Sequence, residues 1–150
     1  METTTSEGKG RRALGVLLLL GALFFGGDRL GAFALQALVS RCPDRFARLY
    51  AGRAPTDVVV LGESRADDRF RSKRLSEMTG RRVVNYGLGG MSMVLCEALF
   101  KDYVERNGAP KTLILEATSL LTSSNTLGDL RLFQPQSRRL SALMKQEEPD

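Results

Sequence analysis

The chain has 150 residues, 43% hydrophobic and 26% charged, which excludes a wholly disordered protein and leaves room for one globular domain. Its formal net charge is +5, yet acids are interleaved with the bases, Trp is absent and only three Tyr occur, so the stacking aromatics of a nucleic-acid surface are missing. The chain has no histidine, which removes the commonest general base and the commonest metal ligand together.

No nucleic-acid partner, metal or cofactor is therefore expected. The scattered Arg and Lys residues have a simpler explanation in a neighbouring membrane segment. The two cysteines, Cys42 and Cys96, lack metal-ligand spacing. A disulfide between them is open in an oxidising compartment. Cys96 sits in an apolar helical run, which reads as a buried thiol.

Residues 1–12 read as a basic tail: Met1 to Gly10 is polar and expected to be flexible, and Lys9, Arg11 and Arg12 carry charge. Residues 13–39 follow as a transmembrane anchor or signal segment. The uncharged core, Ala13 to Gly27, would be about 22 Å long as a helix, against about 30 Å of bilayer hydrocarbon. Beyond Asp28-Arg29 the apolar character resumes to Val39 and extends the span. A cleaved signal peptide is the second reading, with Ala32-Phe33-Ala34 as the cleavage site. A buried soluble helix is the third, disfavoured because the segment is apolar all round. Arg41 before Cys42 argues against a lipoprotein. In both leading readings the tail stays cytoplasmic, the bilayer is the partner, and the rest of the chain is exported.

Residues 40–56 read as a linker helix, started by Ser40 to Asp44 and stopped by Pro55. The domain at 57–150 opens with Asp57 to Gly62, a continuous β-branched run that predicts a strand covered on both faces. Residues Ala66 to Met78 predict one helix with Phe70, Leu75 and Met78 on its apolar face, closed by Thr79-Gly80. A second strand covers Arg82 to Gly87, and Gly87 to Gly90 is a tight loop. Met91 to Asn107 predicts an amphipathic helix burying Met91, Val94, Leu95, Ala98, Leu99 and Tyr103. Lys111 to Ala117 is the third strand, Thr118 to Asn125 a polar loop, and Leu127 to Met144 a helix interrupted by Pro135. Lys145 to Asp150 should fray. The alternation predicts an α/β fold: a partial doubly wound parallel sheet in a flavodoxin-like three-layer sandwich, preceded by the transmembrane helix.

Ligands in such sheets sit at the carboxyl ends of the strands, and all three ends here carry small polar residues. Gly62-Glu63-Ser64-Arg65 places a serine on a strand-to-helix turn, where its hydroxyl faces the sheet rim or serves as a helix N-cap. Asn85 to Gly90 brings backbone N–H groups close to any ligand, but lacks the spacing of a dinucleotide fingerprint. Thr118 and Ser119 follow the third strand. Gly and Ser also simply make good turns.

Taken together, VVVLGESRA followed by NYGLGGMS resembles the SGNH (GDSL-like) hydrolase superfamily, over roughly Asp57 to Ser119. The resemblance implies Ser64 as nucleophile and the Gly90 N–H as an oxyanion-hole donor. Glu63, Arg65, Asn85, Gly89, Thr118 and Ser119, at the same strand ends, are the candidate binding residues. The family's Asn after the third strand is not where it is expected; Asn125 lies several residues late. Its C-terminal Asp-x-x-His block has no counterpart. Membrane-anchored members suggest an esterase or O-acyltransferase acting on acylated polysaccharide or lipid of the cell envelope. Without the histidine, a truncated or inactive member is expected, truncation being favoured by the short sheet. The alternatives are a non-catalytic envelope binding or assembly protein, and an exported portion that folds with a partner along an open sheet edge.

Overall fold

A computed structural model of the chain describes residues 5–120 and 127–147. The remainder of the expected polar loop and of the expected frayed tail lies outside them. The chain divides into two compact units, 1–39 and 40–150.

The first unit is dominated by α1 (Thr5–Arg41). The tail expected to be flexible is helical from Thr5, because extending an existing helix avoids the cost of nucleation. Leu17 to Leu20, Phe24 and Phe25 are exposed, Phe24 by 84%, and among the described residues none buries the apolar span. Gly15–Val39, 25 residues, is long and apolar enough to cross a membrane or act as a signal sequence. At 1.5 Å per residue it reaches about 37 Å, more than the hydrocarbon thickness. Within it the Arg29 guanidinium lies 4.9 Å from the centre of the Phe25 ring, which partly shelters the charge.

The second unit is α/β with a three-stranded parallel sheet in the order β2-β1-β3. It begins with α2 (Arg45–Tyr50), whose N-terminus is capped by Asp44: Oδ1 accepts from the N–H groups of Phe46 at 2.8 Å and Ala47 at 3.1 Å. The central strand β1 (Val58–Leu61) is buried at every position, as its unbroken β-branched run requires. It pairs with β2 (Val83–Asn85) and β3 (Thr112–Leu115), with Val60 opposite both Asn85 and Ile114.

Between β1 and β2 the structure has two short helices where one was expected. They are α3 (Ser64–Arg69) and α4 (Ser72–Thr79), separated at Phe70 (φ −96°, ψ 85°). The break follows from a tertiary contact. The Asn85 amide donates to the carbonyls of Ala66 at 2.6 Å and Phe70 at 2.9 Å, closing α3 from outside. Met78, expected on a buried face, is 73% exposed because α4 starts afresh with its own orientation. α4 does end at Gly80, in the left-handed conformation.

The long helix α5 (Met93–Asn107) is capped by Ser92. It buries Leu95, Cys96, Ala98, Leu99 and Tyr103, but Val94 points outward and Cys96 fills the core instead. Two 3₁₀ segments follow β3, Ala117–Leu120 and Gly128–Gln136, the second containing Pro135. The last element is α6 (Arg138–Glu147). Arg139 joins α6 to α5 through Asp102 at 2.7 Å and through Glu105, and the Tyr50 hydroxyl donates to Asp102 at 3.0 Å. Burial, reinforced by the Asp102 charge, holds the Tyr50 hydroxyl well above its ordinary range. Cys42 and Cys96 are free thiols, the first exposed and the second buried.

The two sheet edges differ. On β2 the outward Val83 N–H donates to Ser76 Oγ at 3.1 Å, and the Asn85 carbonyl accepts from Arg45 at 3.0 Å. Side chains thus occupy that edge. β3 pairs only with β1 among the described residues, and its Leu113 and Leu115 are 40% and 42% exposed.

Candidate functional site

The carboxyl ends of the three strands are pressed together, and two glycines make that possible. Gly62 follows β1 with φ +149°; a Cβ there would stand 2.4 Å from the Cβ of Glu116, the first residue after β3. Gly87 follows β2, and a Cβ there would meet the Asp67 nitrogen at 2.7 Å and the Ala66 Cβ at 2.8 Å. Backbone bonds stitch the three ends. Leu88 N–H donates to Gly62 at 3.1 Å, and Glu116 N–H donates to Leu61 at 2.9 Å. Only residues without a side chain fit at 62 and 87, so the strand-end loops are held by close backbone contact.

Ser64 is the first residue of α3. The cap position belongs to Glu63, whose side chain makes no capping bond. The N-cap role weighed for Ser64 is therefore not the one it fills. Its side chain is exposed, and among the described residues its hydroxyl has no hydrogen-bond partner. Gly90 is half-buried with φ 72°, and Gly89 has open space where a side chain would point.

The other candidates divide into groups. Asn85 is buried and its side chain is fully engaged: besides the two carbonyls of α3, its Oδ1 accepts from the Gly87 N–H at 2.7 Å. It positions the loop and leaves no donor for a ligand. Thr118 is turned toward Glu116, donating from its N–H at 3.0 Å and from its hydroxyl. Glu63 contributes its backbone to the same carboxylate, and the Arg65 charge faces it. Ser119 is fully buried, and its hydroxyl has no partner in hydrogen-bond geometry. It lies close enough to the Cys96 thiol to oppose, in part, the upward push that burial gives that group. Asn125 lies outside the described residues.

Glu116 was not singled out from the sequence. An acid directly after an apolar strand, in LILEA, was the available signal, since strand ends are where sites form. The Thr118 hydrogen bonds hold its carboxyl below the usual range, so it is ionised at neutral pH and a weak proton acceptor. Among the described residues no group of three potential metal ligands occurs. No protein-family model matches the chain, and no curated protein or solved structure does either.

Proposed function

We propose that the chain is a membrane-tethered SGNH-like (GDSL-like) domain in which Ser64 holds the nucleophile position of a serine esterase or O-acyltransferase for cell-envelope acyl groups. The observation that carries this is the Ser64 hydroxyl, exposed on the turn after the central strand and not spent on capping. The backbone N–H groups of Ser64 and Gly90 would serve a developing oxyanion. The sheet order supports a doubly wound, flavodoxin-like sandwich, since right-handed crossovers put α3–α4 and α5 on opposite faces. In the same reading α1 is a single-pass anchor, the basic tail is cytoplasmic, and residues 40–150 are exported.

The general base of such a site has no counterpart in this chain, which contains no histidine. Glu116 does not replace it, because Thr118 already stabilises its ionised form. Turnover by this chain is accordingly slow. Serine sites stripped of their triad keep about 10³–10⁴-fold over water from oxyanion and binding effects alone. A fluorophosphonate tests the assignment: it should form an adduct on Ser64 that is lost in Ser64→Ala. No adduct on the folded protein would overturn it.

The missing base favours a second reading, a non-catalytic envelope protein that binds or assembles through the same strand ends. It requires no adduct, and a Ser64→Ala variant that localises and binds as the parent does.

A further inference from the structure

A groove of about 1,360 Å³ runs along the occupied edge of β2, between α2 and the α3–α4 segment, away from the turn that carries Ser64. Eight of its lining residues are basic and two, Asp67 and Glu77, are acidic. Arg45 is paired with Asp67 at 2.8 Å and Arg82 lies 3.7 Å from Asp57. Arg48, Arg71, Lys73, Arg74 and Arg81 have no carboxylate partner among the described residues. Five unneutralised cations in one concavity repel one another unless an anion enters. Tyr86 lines the groove with its ring packed between Phe46 and Tyr103.

We propose that this groove binds the phosphate headgroups of anionic lipids in the membrane that holds α1. The proposal rests on reading α1 as a membrane span. Charge complementarity and chain continuity both favour lipid. The lining begins at Pro43, four residues after the span ends at Val39, and continues through Arg45 and Arg48. Basic clusters directly after a span are drawn to anionic lipid surfaces, and that attraction decays within about 8 Å at physiological ionic strength. The groove offers what a phosphodiester needs, guanidinium groups for its oxygens.

The test uses the full chain in nanodiscs of phosphatidylcholine alone, or of equal parts phosphatidylcholine and phosphatidylglycerol. Amide hydrogen exchange is followed over α4 and β2. Protection of about tenfold in the anionic discs is expected, as for a site filled near ten times its Kd. It should be lost at about 1 M salt, where screening acts within 3 Å. It should also be lost in Lys73→Glu/Arg74→Glu/Arg81→Glu and in the matching glutamine triple. Unchanged exchange in β1 would show that both variants are folded. Equal exchange in the two discs would overturn the proposal. So would protection by a single-stranded oligonucleotide in neutral discs without protection by phosphatidylglycerol. A chain that co-elutes with neither disc would overturn the anchor instead, and the same measurement with phosphatidylglycerol vesicles would then decide the groove.

Discussion

Replacing Asn85 by alanine should loosen the whole strand-end region, and the size of the effect follows from three hydrogen bonds. The amide donates to Ala66 and Phe70 and accepts from Gly87 at 2.6, 2.9 and 2.7 Å. Gly87 is buried, so its N–H would be left without a partner, whereas the Ala66 carbonyl keeps the Phe70 N–H at 3.2 Å and the half-buried Phe70 carbonyl can be rehydrated. One buried unsatisfied donor at about 1–3 kcal/mol, with two further hydrogen bonds lost at about 0.5–1.5 kcal/mol each, gives a loss of about 2–6 kcal/mol, a large share of a typical domain's 5–15 kcal/mol. Asn85→Asp should be at least as damaging at neutral pH, since a carboxylate would face two carbonyl oxygens. Burial would raise that carboxyl's folded-state pKa. The variant should therefore be most stable below the unfolded value of about 3.9, and lose stability as pH rises through the folded one. The assay is urea unfolding of the full chain in neutral detergent, read by tyrosine fluorescence. Tyr50, Tyr86 and Tyr103 all lie in the second unit and there is no Trp, so the signal reports that unit alone. A loss below about 1 kcal/mol for Asn85→Ala would refute the claim that this side chain holds α3 and the glycine loop together.

Gly87→Ala should destabilise by more than about 2 kcal/mol in the same assay, because its Cβ would meet Asp67 and Ala66 backbone inside van der Waals contact; Gly89→Ala, with open space, should be near neutral. A thiol reagent should modify Cys42 quickly and Cys96 only on unfolding, since Cys96 is buried and its thiol is pushed up by desolvation. Applied to intact cells as a membrane-impermeant maleimide, the reagent also reads topology. Labelling at Cys42 is expected if residues 40–150 are exported, and its absence, with labelling after lysis, would reverse the orientation. In an alkaline absorbance titration Tyr50 and Tyr86 should ionise only as the protein unfolds, because burial raises both. Their contribution to stability is complete below about pH 10 and lost as pH rises above it. Two tyrosines ionising reversibly near pH 10 in the folded protein would contradict that burial.

What was legible in the sequence was what local pattern controls. The β-branched run at Val58 to Leu61 is buried on both faces as its continuity demands, and Gly80 ends α4 as a C-terminal glycine should. The features that sequence hid come from contacts distant along the chain. The split between α3 and α4 depends on an amide 15 residues beyond Phe70. Val94 is exposed while Cys96, two residues on, is buried, a rotation of α5 set by what packs on it rather than by its own spacing. For the site, the serine and the glycines could be found from their place after strands. That Asn85 bonds α3 and the glycine loop, and that Thr118 bonds Glu116, needed the fold. The basic groove was invisible for the same reason: Arg45 and Arg48 reach it from α2, and Arg71 to Arg82 from the α4–β2 segment.

The most direct test of the central claim is to offer the missing base from solution. The full chain in neutral detergent would be incubated with a fluorophosphonate, with and without imidazole, and adducts mapped by peptide mass spectrometry. A slow adduct on Ser64 is expected, accelerated by imidazole and absent from Ser64→Ala. A folded chain that forms no adduct at Ser64 under either condition would contradict it.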